Sequence, residues 1–122
     1  MVLRIEDVVI RKVITIDSRS SITEATEVMH RYATSSLVVL SGKKIDGILS
    51  TRDVIARVVA KGLDPTTILV EDVMTSPVIM MRPDTPLGEA IKIMIQRKIK
   101  KLPLVTGEKN NARLVGLLSL TD

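Results

Sequence analysis

The sequence predicts a mixed α/β (α+β) fold written twice, as two tandem strand-helix-strand-strand-helix repeats. Three observations carry that expectation. First, the chain matches itself: Leu3–Leu40 superposes without a gap on Ile68–Val105, with identities at Glu6/Glu71, Asp7/Asp72, Val8/Val73, Val13/Val78, Ile14/Ile79, Glu24/Glu89, Ala25/Ala90, Met29/Met94 and Leu37/Leu102. Internal repetition of this kind decides architecture before any local reading. Second, apolar residues change from strand-like runs to helical spacing in the same order in both copies. Third, the phrase GILSTRD at 47–53 returns as GLLSLTD at 116–122, once extra residues around Glu108–Ala112 have shifted the register.

Each copy opens with paired acids, Glu6/Asp7 or Glu71/Asp72, which read as caps or salt-bridge partners of the entry segment rather than as acid-base machinery. Val13–Ile16 and its match Val78–Met81 are short apolar runs that predict the first strand. Thr85 before Pro86 predicts an N-cap followed by proline at the first helical position, which makes Ser20 the matching cap; Ser21 with Glu24 offers a capping box one residue later. Ile22, Ala25, Val28, Met29 and Tyr32 then recur at helical spacing, as do Leu87, Ala90, Ile91, Met94 and Ile95. Both methionines read as core, and His30 as a surface or cleft-edge residue. Leu37–Leu40 and Ile45–Leu49 predict a hairpin, matched by Leu102–Val105 and Leu114–Leu118. From Thr51 a last helix is expected to present Val54, Ile55, Val58 and Val59 on one face and to stop near Gly62. The repeats therefore span 1–62 and 68–122, joined by a connector at 63–67. The second lacks its final helix, so either the chain given is shortened or this half keeps an apolar surface for a partner. Two sheets that each leave an apolar face would stabilise one another by packing together.

Composition narrows the function classes. Apolar residues make up 45% of the 122, enough for a packed core, and there is neither a membrane-length apolar run nor a signal-like amino end. A soluble, cytoplasmic protein is expected. With no cysteine and a single histidine, disulfides, thiolate metal sites and structural zinc are not expected. Eighteen basic against fourteen acidic residues suit an anionic ligand, while a lone aromatic, Tyr32, argues against stacking on single-stranded nucleic acid. No nucleophile-base pair or phosphate-binding glycine motif supports an enzyme.

The repeated phrase carries the chemistry. Where a strand ends at Leu49 and a helix begins near Asp53, unpaired backbone N–H groups favour a phosphate, helped by Ser50 and Arg52. Ionised Asp53 can accept hydrogen bonds from both hydroxyls of a ribose. The competing reading is structural: Ser-x-x-Asp at a helix start is an ordinary capping arrangement.

The repeat pattern, the paired GILSTRD and GLLSLTD endings, and DVMTSPVIMMRPDTPLGEAIKIM in the second copy resemble tandem CBS domains, the Bateman module, over Leu3–Asp122. The resemblance implies two copies packed sheet to sheet about a pseudo-two-fold axis, with clefts for adenosine-containing ligands such as AMP, ADP, ATP, S-adenosylmethionine or NAD. One cleft would use Ser50, Arg52 and Asp53 with Thr75, Pro77, Val78, Ile79, Lys100 and Lys101. The other would use Ser119, Thr121 and Asp122 with Lys12, Val13, Ile14, Ser35 and Ser36. Two departures stand out: Lys12 where the second copy has Pro77, and Val38 where it has Pro103. The clustered Arg52, Lys100 and Lys101 predict that extra phosphates prefer the Asp53 cleft, unless those lysines merely complement a helix end. The expectation is a nonenzymatic ligand sensor that needs no cofactor, takes an adenine nucleotide as regulatory ligand, forms a homodimer and signals to an unidentified effector protein. Alternatives are an oligomerisation scaffold with degenerate clefts, or a basic nucleic-acid-binding surface.

Overall fold

The computed structural model describes residues 2–7, 12–107 and 112–120. The chain divides into a middle unit, Ile14–Val78, and a terminal unit made of Met1–Val13 with Ile79–Asp122. Each unit thus combines the opening segment of one repeat with the strands and helix of the other.

In the middle unit, β1 (Thr15–Asp17) runs parallel to β2 (Ser36–Ser41), which is antiparallel to β3 (Lys44–Ser50). A parallel pair needs a crossover, and α1 (Ile22–Arg31) supplies it. Ser21 is the N-cap of α1: its hydroxyl accepts the Glu24 N–H and the Glu24 carboxylate accepts the Ser21 N–H, both at 3.1 Å. The capping box therefore places the start one residue after Ser20. β2 is the central strand and Ser36–Val39 are all buried, with Leu37 and Val39 in the core of this unit. The β2–β3 turn closes through Gly42 at φ 62°, a conformation in which a side chain is strained. Ile22, Ala25 and Met29 of α1 meet Leu37, Val39 and Leu49 of the sheet in one core.

The last helix begins as α2 (Thr51–Val54) and continues as a π-helical turn over Ile55–Val59. Val54 and Val58 enter the core, but Ile55 and Val59 are 61% and 66% exposed. The expected four-residue apolar face is thus corrected to two. Within this unit the core lies along only one line of the helix, and the neighbouring line is left in solvent.

The rest of the middle core comes from the second repeat's opening segment. A 3-10 turn at Val70–Asp72 buries Val70, and Val73 follows it into the core. Ile22 N–H donates to the Ile68 carbonyl at 2.9 Å, Val70 N–H to Ser20 at 2.8 Å and Glu71 N–H to Ser18 at 2.9 Å. The terminal unit repeats these bonds between the matched residues: Leu87 N–H to Leu3 at 2.8 Å, Ile5 N–H to Thr85 at 3.0 Å and Glu6 N–H to Pro83 at 2.9 Å. Here the 3-10 turn is Ile5–Asp7, closed by the Asp7 carboxylate accepting the Arg4 N–H, and Ile5 is fully buried. In both units the paired acids lie within the entry turn.

The terminal unit holds α3 (Leu87–Arg97) and an antiparallel pair, β4 (Lys101–Thr106) with β5 (Arg113–Ser119). Ile5, Ala90, Met94, Leu102, Leu104 and Leu118 form its core. The register shift after Leu104 matches the one after Val39, so even the irregularity was duplicated. Two expectations fail here. Thr85 does not cap α3: Pro86 is the N-cap, with no side-chain bond, and the Thr85 carbonyl serves Ile5 instead. Nor does Val78–Met81 form a strand; only an isolated parallel bridge joins Met81 to Leu104. Proline explains the loss. In the middle unit the Val38 N–H donates to the Ile14 carbonyl at 3.1 Å, whereas the residue matched to Val38 is Pro103, which has no N–H to give. Among the described residues no helix is long and apolar enough to cross a membrane.

Candidate functional site

The middle unit gathers the first repeated phrase with the residues that follow the connector. Strand β3 delivers Ser50 as the N-cap of α2, and the cap is reciprocal: Ser50 Oγ accepts the Asp53 N–H at 3.1 Å, while Asp53 Oδ2 accepts the Ser50 N–H at 3.0 Å. The capping reading of Ser-x-x-Asp is therefore correct for one oxygen of Asp53. Its other oxygen, Oδ1, faces Thr75, whose hydroxyl donates at 3.4 Å. That is long for an O–H···O bond, which usually lies near 2.5–3.0 Å. Asp53 is half-buried, whereas Thr75 is exposed.

Thr75 is fixed from its backbone. Its N–H donates to the Ile48 carbonyl at 2.8 Å and its carbonyl accepts the Ile48 N–H at 3.0 Å, which adds a bridge to the free edge of β3. Gly47 makes this approach possible. A Cβ there would lie 2.6 Å from Met74 Sδ and 2.9 Å from the Thr75 carbonyl oxygen, closer than atoms tolerate. The glycine of the phrase is thus required by the crossing segment at 74–75.

Other sequence-derived candidates fall near this point. Arg52 stands exposed in the first turn of α2, and Pro77 and Val78 follow Thr75. Buried Ser36 lies opposite Ser50 in the ladder, and the Ser35 carbonyl accepts the Thr51 N–H at 2.9 Å. Both serines, grouped by the resemblance with Asp122, therefore adjoin the Ser50 turn. Ile14 also belongs to the middle unit and offers its carbonyl to Val38.

In the terminal unit the β4–β5 ladder sets Lys101 opposite Ser119, and Lys101 Nζ donates to Ser119 Oγ at 2.7 Å. Residues paired across a ladder share a face, so the Lys101 ammonium is engaged by the second phrase. Lys100 is exposed, and its carbonyl accepts the Leu120 N–H at 3.0 Å. Lys12, Val13 and Ile79 also lie in this unit. Thr121 and Asp122 lie outside the described residues.

One contributor to this region was not singled out from sequence. Arg57, on the π-helical turn, donates from Nη1 to the carbonyls of Val73 at 2.8 Å and Met74 at 3.2 Å. An arginine four residues after Asp53 reads as a solvated helix charge, because nothing local reveals that a distant segment ends its turn beneath it.

The sequence pattern of the CBS domain matches residues 5–60 and again 70–122. The CBS domain-containing protein YhcV of Bacillus subtilis is 30% identical over 118 residues, covering 97% of this chain and 81% of its own. Inosine-5'-monophosphate dehydrogenase of Korarchaeum cryptofilum is 36% identical over 121 residues, covering 99% of this chain but only 24% of the enzyme. Several curated relatives are longer, and the chain spans 56%, 24% and 23% of three of them. Among solved structures, a hexameric CBS-CP12 protein from bloom-forming cyanobacteria superposes with a TM-score of 0.87 at 25% identity, covering 99% of this chain and 70% of that one. Such tandem domains are typically regulatory modules rather than catalytic folds. With two matched segments in tandem and a relative aligned over most of both lengths, the chain belongs to the CBS-domain family, as a tandem pair.

Proposed function

We propose that this tandem pair is a nonenzymatic sensor that binds an adenosine-bearing ligand, AMP, ADP or ATP foremost, and passes the resulting change to a partner protein. The observation that carries the reading is the division of labour on Asp53. One oxygen is committed to the capping box, and the other, among the described residues, holds only a long contact to the Thr75 hydroxyl. A sugar hydroxyl that donates to Oδ1 at ordinary O–H···O⁻ length replaces a long, weak bond to the carboxylate with a short one. Thr75 is then released to meet the neighbouring sugar oxygen. Arg52, exposed one residue before Asp53, supplies charge for a phosphate.

Calorimetry and thermal unfolding with adenosine, AMP, ATP and S-adenosylmethionine test this. A ligand at 100 times its Kd stabilises the fold by about 2.7 kcal/mol, and Asp53→Asn should abolish the gain. No stabilisation by any of the four would leave a scaffold as the better reading. Binding that weakens steeply with salt would point to nucleic acid.

Self-association belongs beside this proposal. A solved relative is hexameric, and here Ile55, Val59 and, just past the helix, Leu63 are exposed together. A homodimer or larger assembly that covers them is expected in sedimentation, and Val59→Glu should shift it toward monomer.

A further inference from the structure

We propose that Arg57 is a positioning residue for the Asp53–Thr75 pair, a role that rests on the ligand reading above but is set by the middle unit alone. Asp53 and Arg57 lie one helical turn apart on the same run, α2 and its π-helical continuation. Each grips the crossing segment at a different point. Asp53 Oδ1 meets the Thr75 hydroxyl, and Arg57 Nη1 meets the carbonyls of Val73 and Met74, immediately upstream. Those carbonyls belong to the residues that close the 3-10 turn at Val70–Asp72, where Val73 and Met74 both direct their N–H groups to the Val70 carbonyl. A guanidinium there supplies charge-assisted donors at the end of the turn.

Two further contacts give the grip its consequence. Val73 is anchored in the core below, and Gly47 lets Met74 and Thr75 lie directly on β3. Between the buried Val73 side chain and the Ile48 bridge at Thr75, the Met74 N–H is held by the Val70 carbonyl, and the two carbonyls of this stretch are held by Arg57. Loosening it lets residues 74–75 lift from the edge of β3. The hydroxyl then leaves Oδ1, and the site loses the pairing that a vicinal diol would read. Arg57 touches no ligand in this account; it acts through Thr75.

The test uses the full chain with Arg57→Met, which keeps the aliphatic stem but removes the donors, and Arg57→Lys, which restores one charged donor. Without ligand, amide exchange at Thr75 and Ile48 should accelerate in Arg57→Met while the amides of α1 keep their rates. Unchanged exchange at Thr75 overturns the proposal whatever the protein binds. With AMP, Arg57→Met should weaken affinity by about tenfold, within the range of coupled sites. Arg57→Lys should recover part of it, and in a Thr75→Val background Arg57→Met should add no further loss. A lower melting temperature with unchanged AMP affinity, or the same tenfold loss in both backgrounds, makes Arg57 structural only and sinks the idea. If the unsubstituted protein binds no AMP, ATP or S-adenosylmethionine, the ligand reading falls, while the exchange measurement still decides what Arg57 does to Thr75.

Discussion

The two hairpins of the molecule have matched ends and unlike chemistry. At the end of β2–β3, Ser36 faces Ser50 and the Ser35 carbonyl takes the Thr51 N–H; at the end of β4–β5, Lys101 faces Ser119 and the Lys100 carbonyl takes the Leu120 N–H. The backbone scheme is the same, down to the register shift after Val39 and after Leu104. Two hydroxyls in one unit are two ammonium groups in the other. Two positions into the strand, a valine that donates to Ile14, just before β1, is replaced by a proline that cannot, and a three-stranded sheet becomes two-stranded. Duplication therefore preserves the ladder, while single side chains set its width and its charge.

The sharpest way to break that comparison is to exchange the decisive residue. Val38→Pro removes the donor to Ile14 in a central, buried strand and leaves a carbonyl without its partner, which should cost about 3 kcal/mol in urea unfolding. Pro103→Val should gain up to about 1 kcal/mol by offering an N–H to the Ile79 region. If Val38→Pro costs less than Pro103→Val gains, the absent N–H is not what reduces the first strand of the second copy to a bridge.

What was legible in the sequence follows the same division. Matched periodicity located α1, α3 and all four hairpin strands, because their apolar patterns answer to a core in both copies. It could not locate the start of α3, since the Thr85 carbonyl is claimed by Ile5, a residue far away in the chain. Nor could it tell that Val54 and Val58 are covered while Ile55 and Val59 are not, because the same periodicity fits a helix with either neighbour. At the site, Gly47, Ser50 and Asp53 stood out by recurring in the second phrase. Thr75 entered through family resemblance, and Arg57 had no signal at all. Its partners are two backbone carbonyls, and any sequence supplies those.

A smaller effect tests whether the helices are as equivalent as the hairpins. Ala33 after α1 and Lys98 after α3 occupy matched positions and share a left-handed backbone, φ 51° and 56°. Glycine removes the Cβ strain but adds freedom to the unfolded chain, so Ala33→Gly and Lys98→Gly should each raise stability by about 0.5–1 kcal/mol. Thermal unfolding of the pair should give like shifts. A gain at only one would mean that the two helix ends are held differently.

Charge is the next comparison to sharpen. If the terminal hairpin end meets phosphate, Lys101→Ser should weaken ATP by about two- to fivefold, the size expected of one partly exposed charge, and leave adenosine unchanged. A cycle with Ser119→Ala then reads whether the 2.7 Å bond holds the ammonium in place. Equal losses for adenosine and ATP would remove phosphate from the account of Lys101.

The smallest effect concerns how the opening segments begin. In the terminal unit Asp7 closes the entry turn on Arg4, whereas the middle unit's entry is preceded by Asp64, whose Oδ1 accepts both the Thr66 hydroxyl at 2.7 Å and the Thr66 N–H at 2.9 Å. The hydroxyl first, then the N–H, hold the Asp64 carboxyl below its ordinary value of 3.8, against a slight opposing push from burial. A carboxylate whose pKa is depressed in the folded state adds stability that is present above 3.8 and disappears as pH falls through the lowered value. Thr66→Val deletes the larger cause and keeps the smaller, so a carboxyl-carbon titration should find Asp64 shifted up toward 3.8 without reaching it. Because Asp64 is fully exposed, the stability lost at neutral pH should be small, and the difference between the two proteins should close as pH falls along the acid limb. An Asp64 titration unmoved by Thr66→Val would show that the backbone N–H alone sets the Asp64 carboxyl.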